Sequence, residues 1–209
     1  MLETENKEFL SFSRSMLLQC GILFGGICAG LWVNKYFMVI AAAFTVVTAL
    51  FGKMEYCFYQ LLFTLPFSLI YKLSPASTSL FTYAMLAVGT VLIFRQRSFE
   101  RKFIGSLALT AMYLIIGMGD NYTKTFKMIL GFFLFYIFVK RILPADFKNH
   151  IMAFALGLIG SSCIGLLKGN WPRIDAYFSD MNSIYIRGVE AFRFSGLYLD
   201  PNYYSVSAI

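Results

Sequence analysis

The sequence predicts an all-α membrane protein: a polytopic transmembrane helical bundle of about seven complete spans plus the start of an eighth, with one long external loop. Three observations predict it. Of 209 residues, 58% are hydrophobic and only 14% charged, whereas a soluble domain carries roughly 25% charged residues. Apolar runs recur between short polar breaks, and several reach the roughly 18 to 20 residues that cross a hydrocarbon core about 30 Å thick. The net charge of +7 collects at the ends of these runs. It therefore reads as a topology signal, since a nucleic-acid binder would gather Lys and Arg on one solvated face.

Each element follows from the apolar pattern. Residues 1–209 read as a single membrane domain. Its polar, acidic start, MLETENKEFLSFSRS, lacks the features of a cleaved signal peptide, so the first span is expected to stay as an anchor. Span one runs from about Met16 to Val33 and span two from about Tyr36 to Phe51, with Asn34 and Lys35 turning between them. Span three, about Met54 to Tyr71, is weakened by Lys53, Glu55 and Pro66 and has a partly interfacial alternative. Span four covers Ser79 to Phe94, span five Phe103 to Gly119, span six Lys127 to Val139 and span seven Ile151 to Leu167; an eighth starts near Pro201. Arg95, Arg97, Arg101 and Lys102 follow span four, and Lys140, Arg141 and Lys148 follow span six. The positive-inside rule places both groups in the cytoplasm. Counting back puts the N-terminus inside and residues 168–200 outside. That external segment interleaves Trp171, Tyr177, Phe178, Tyr185, Phe192 and Phe194 with Arg173, Arg187 and Arg193, a composition that fits either an interfacial amphipathic helix or an aromatic belt.

Most other motifs read as structural. GILFGGICAG sets Gly21, Gly25, Gly26 and Gly30 in overlapping small-xxx-small pairs, which allow a neighbouring helix to approach closely. Cys20, Cys28, Cys57 and Cys163 fall in apolar stretches without CxxC or Cys/His ligand spacing, so they read as small buried hydrophobes and no metal is expected. No nucleotide-binding glycine pattern follows a strand. His150, the sole histidine, is placed at the cytoplasmic mouth of span seven with no catalytic role. No serine has a His and Asp disposed to form a triad. Asp120 and Asn121 read as a helix cap. Leu65 to Phe81, with Pro66 and Pro75, fits a re-entrant elbow or a plain loop.

The candidate site lies near the C-terminal end. Asp200-Pro201-Asn202 reads as a helix start, with Asp as N-cap and Pro at the first helical position. The free N–H groups at such a start favour an anion. Arg193 lies seven residues upstream of Asp200, and its planar guanidinium can grip a phosphate with two hydrogen bonds. Gly196 would let the chain turn back between them. Arg187, Arg193, Gly196, Asp200, Pro201 and Asn202 form the candidate substrate-binding set, with Arg193 the candidate catalytic residue. A diphosphate clamp and a ligand-free interfacial arginine beside a capped helix both fit this pattern.

Arg193-Phe194-Ser195-Gly196 followed by Asp200-Pro201-Asn202 and Ser205 resembles the R-x-x-G-x-x-x-[DN]-P-N signature of the O-antigen ligase and polysaccharide polymerase family, integral membrane glycosyltransferases of the bacterial envelope. The resemblance implies transfer of a glycan from an undecaprenyl-diphosphate carrier at the outer face of the cytoplasmic membrane, during cell-envelope, capsular or exopolysaccharide assembly, without a nucleotide sugar, cofactor or essential metal. Arg193 would neutralise the diphosphate leaving group. The implied partners are the lipid-linked glycan, membrane lipid and other polysaccharide-assembly proteins, with no nucleic acid. Family members are considerably longer, so the chain is expected to be the N-terminal part of such an enzyme and inactive alone. The alternatives are a transporter or flippase for a lipid-linked or anionic solute, against which the absence of ionisable residues within spans four to seven argues, and a non-enzymatic membrane scaffold.

Overall fold

A computed structural model describes residues 13–74, 77–95, 104–105, 108–109, 111–112, 115–116, 122–167, 184–186 and 189–191. The first helix, α1 (Arg14–Trp32), follows the extended residue Ser13. It ends where the N–H groups of Val33 and Asn34 both reach the Ala29 carbonyl. The Asn34 side-chain oxygen then accepts the Tyr36 N–H at 3.1 Å, and α2 (Tyr36–Phe51) departs at once. Gly52 closes α2 by donating to the Thr48 carbonyl at 2.8 Å. A Cβ on Gly52 would meet that same oxygen at 2.7 Å, so the tight exit requires glycine.

The third helix, α3 (Met54–Thr64), tightens into a 3-10 turn at Leu65–Phe67. Pro66 explains the change, since its ring leaves no N–H for the next helical bond. The chain then loops to α4 (Leu80–Arg95), and the Tyr71 carbonyl draws the loop shut by accepting the Leu80 N–H at 2.7 Å and the Ser79 hydroxyl at 3.2 Å. Residues 104–105, 108–109, 111–112 and 115–116 are helical. Next come α5 (Tyr122–Ile137), a π turn at Phe138–Ile142, and α6 (Leu143–Gly165), inside which Asp146 departs from helical geometry. A small antiparallel hairpin, β1 (Ile184–Ile186) and β2 (Val189–Ala191), pairs Tyr185 with Glu190.

At the centre stands α3. Cys57, Phe58, Tyr59, Gln60, Leu61, Phe63 and Thr64 are all buried, and consecutive buried positions leave a helix no outward face. Leu23, Ile27, Phe63, Phe67 and Ala153 share one core, which also takes in Ala41 of α2 and Ala84 of α4. Phe58, Leu61, Val88, Leu92, Leu130 and Ile137 share a second with Ala49 of α2, so α2 and α4 pack directly on each other. Small residues set the spacing. A Cβ on Gly26 would fall 2.9 Å from that of Ala41, and one on Gly157 would strike the main-chain oxygen of Phe63. Phe24, Phe63 and Phe67 pack ring against ring, and Gly160 leaves them the space.

The bundle of seven to eight spans is overturned. Among the described residues, only α1 and the Asp146–Gly165 stretch of α6 are long and apolar enough to cross a membrane. The 16 residues of α2, α4 and α5 extend about 24 Å at 1.5 Å per residue, short of a hydrocarbon core of about 30 Å. The expected third span is cut to the 11 residues of α3, enclosed by its neighbours. Helices do stand at the expected places of spans one to four, six and seven. Part of their apolar surface is buried between helices, and a run of apolar residues does not distinguish that burial from contact with lipid. The orientation obtained by counting seven crossings falls with them. Most of the expected fifth span and all of the eighth lie outside the described residues. α1 and α6 remain the candidate membrane-crossing helices.

Candidate functional site

Arg187, Arg193, Gly196, Asp200, Pro201 and Asn202 all lie outside the described residues, as do Asp120 and Asn121. The six described residues of the 168–200 segment are strands, not helix. The diphosphate clamp therefore stands on its sequence pattern.

The described residues do hold a polar junction, where the starts of α1, α3 and α6 meet. Asp146, the non-helical residue of α6, is its hub. The Tyr59 hydroxyl, reaching across from α3, donates to one carboxylate oxygen of Asp146. The Asn149 amide donates to the other at 2.7 Å, and the Asn149 side-chain oxygen accepts the Ser13 N–H at 3.2 Å. His150 lies one helical turn beyond Asp146, fully enclosed. Its Nδ1 lies 2.6 Å from the Asp146 main-chain oxygen. That oxygen can only accept, so Nδ1 carries the hydrogen, and in the neutral ring Nε2 is a bare acceptor. Among the described residues, Nε2 has no partner. The imidazole is held between rings, with centroids 4.4 Å from Tyr59 and 5.3 Å from Phe138 of the π turn.

A second polar contact crosses the bundle further along α3. The buried Gln60 amide donates to the side-chain oxygen of Gln19 in α1 and, at 3.1 Å, to the Thr48 hydroxyl in α2. Thr48 passes its own hydrogen to the Phe44 carbonyl at 2.8 Å. The side-chain oxygen of Gln60 has no partner among the described residues. An enclosed polar atom left unpaired costs about 1 to 3 kcal/mol, so both contacts demand more of the bundle than an apolar core would.

Chemically, the junction brings together a carboxylate, a phenol and an imidazole, groups that can hold a proton. His150 is bonded to the main-chain oxygen of Asp146 and not to its carboxylate, so it is not a base oriented by an acid in the manner of a Ser-His-Asp triad. Among the described residues, no three His, Cys, Asp or Glu side chains gather to hold a metal ion, and the four cysteines are free thiols. Reading the sequence along single helices missed this junction. Its one sequence signal is local, an Asp, an Asn and the sole His within one turn and a half, whereas the decisive Tyr59 partner lies 87 positions from Asp146.

No family model matches the chain, and no curated protein or solved structure is significantly similar to it.

Proposed function

We propose that the chain belongs to a bacterial cytoplasmic-membrane glycosyltransferase of the O-antigen ligase or polymerase kind, acting on an undecaprenyl-diphosphate-linked glycan at the outer membrane face. One observation carries the reading. Arg193 and Gly196 precede Asp200-Pro201-Asn202 at a spacing that suits a guanidinium and a helix start gripping one diphosphate. Departure of that group is the step the protein must assist, and a fixed positive charge beside it lowers the barrier. Two candidate membrane-crossing helices are compatible with a lipid-borne substrate. Arg193→Ala in the complete protein should abolish polymer, read by gel electrophoresis of cell-surface glycan, at unchanged abundance in the membrane. Arg193→Lys should also fail, because an ammonium lacks the two-pronged geometry. Normal polymer from Arg193→Ala rejects the assignment.

A second reading, a transporter or flippase for an anionic or lipid-linked solute, gains support from the enclosed His150 and Gln60 and the half-buried Asp146. Polar and ionisable groups inside a membrane bundle commonly mark a solute or proton route. Under this reading, solute movement across reconstituted vesicles depends on Asp146 and His150 and is indifferent to Arg193.

A further inference from the structure

We propose that His150 is a proton-operated latch: its neutral ring holds the corner between α5 and α6 closed against α3, and its protonation releases it. The neutral ring fits its surroundings with one hydrogen, which Nδ1 donates to the Asp146 main-chain oxygen at 2.6 Å. The rest of the ring is enclosed, with the Tyr59 and Phe138 rings against it. A second proton would arrive at Nε2, which makes no hydrogen bond among the described residues. It would create a charge and an unpaired donor in an enclosed place, the combination that burial penalises most.

Among the described residues, the charged groups that lie toward the ring are Asp146 of α6 and Glu55 of α3. The Asp146 carboxylate is already occupied by hydrogens from Tyr59 and Asn149. The Glu55 main-chain oxygen also lies toward the ring, so Nε2–H can reach it only if the ring shifts from its present seat. Either way, a proton moves His150, and with it the Asp146 main-chain oxygen that Nδ1 holds. The movement is transmitted, because Asp146 and Asn149 connect α6 to Tyr59 of α3 and to the Ser13 N–H at the head of α1.

The sole histidine makes the test clean. In the full chain, solubilised in detergent and carrying 15N-labelled imidazole, the ring should be the neutral Nδ1–H form at about pH 8, where an ordinary imidazole is uncharged. On acidification to about pH 5, appearance of the charged ring should coincide with severalfold faster amide hydrogen exchange over residues 146–150, after correction for intrinsic rates. His150→Phe, which keeps a ring but takes no proton, should abolish this acceleration. If that variant does not fold, His150→Gln serves, since it too takes no proton. A charged or Nε2–H ring at pH 8, a ring still neutral at about pH 5, corner exchange that does not change as the ring becomes charged, or acceleration that persists in a folded variant without the imidazole, each overturns the proposal.

Discussion

The guanidinium of Arg95, in the last turn of α4, donates at 3.1 Å to the main-chain oxygen of Gly52, just beyond the end of α2. The same nitrogen also donates to the Ala49 carbonyl in the last turn of α2. The final carbonyls of a helix lack partners within it and carry partial negative charge. One arginine thus caps a neighbouring helix. Arg95→Ala should lower stability by about 1 kcal/mol, seen as a reduced unfolding midpoint in detergent. Arg95→Lys should retain part of the effect, because the charge survives and the geometry does not. An unchanged midpoint for Arg95→Ala would show that the contact contributes nothing.

Two glycines on different helices should respond oppositely to an added methyl group. At Gly157 a Cβ would meet the Phe63 main-chain oxygen, which cannot swing away as a side chain can, whereas at Gly25 nothing lies within 4 Å. Gly157→Ala should therefore cost about 1 to 3 kcal/mol, as overpacking does. Gly25→Ala should leave stability unchanged or raise it by up to about 1 kcal/mol, through the better helix propensity of alanine. Denaturant titration of the two variants side by side decides it. Equal losses would mean that the close contact between α3 and α6 is not what the glycine serves.

The hydroxyl of Tyr59 is the sole described link from α3 to the Asp146 carboxylate. Hydrogen bonds to charged groups contribute about 1.5 to 3 kcal/mol, so Tyr59→Phe should destabilise by that amount while preserving the tilted ring contact with His150. Amide exchange at the head of α6 should accelerate together with the loss of global stability. A Tyr59→Phe protein as stable as the parent would show that solvent or another group replaces the hydroxyl.

Tyr71, in the loop after the 3-10 turn, is buried with no partner for its hydroxyl among the described residues. Burial disfavours the phenolate and raises its pKa above the ordinary phenol value. The sign follows from that rise. The folded state favours the protonated phenol, so this contribution is complete below about pH 10 and is lost as pH climbs further. Tyr71→Phe should be as stable as the parent at pH 7, or more so by about 1 kcal/mol, and should lose less stability in alkali. Thermal melts across that range provide the measurement, and parallel curves for the two proteins would contradict it.

Much of the helical layout could be read from the sequence, and the reason is local. Asn34 and Lys35 mark the turn between α1 and α2, Pro66 marks the end of α3, and Gly26 and Gly30 mark the face of α1 that meets Ala41 and Met38. Each is a residue whose own covalent structure dictates the backbone or the spacing. Whether a helix crosses a membrane could not be read this way. Phe58, Leu61 and Phe63 are apolar because neighbouring helices enclose α3, yet they look the same in sequence as residues facing lipid. The His150 junction was hidden for a different reason. A single His at a helix start is unremarkable until Tyr59 and Ser13 are brought to the junction by packing. The Arg193 motif remains a reading of sequence alone.

The enclosure of α3 has a consequence for how the chain is made. Tyr59 finds Asp146 only after 87 further positions have left the ribosome, about 4 to 17 seconds later at roughly 5 to 20 residues per second. Through that interval the side of the nascent helix destined for α6 stands uncovered. Newly made α1 to α3 should therefore be sensitive to proteolysis, or dependent on a holding chaperone, until translation passes Gly165.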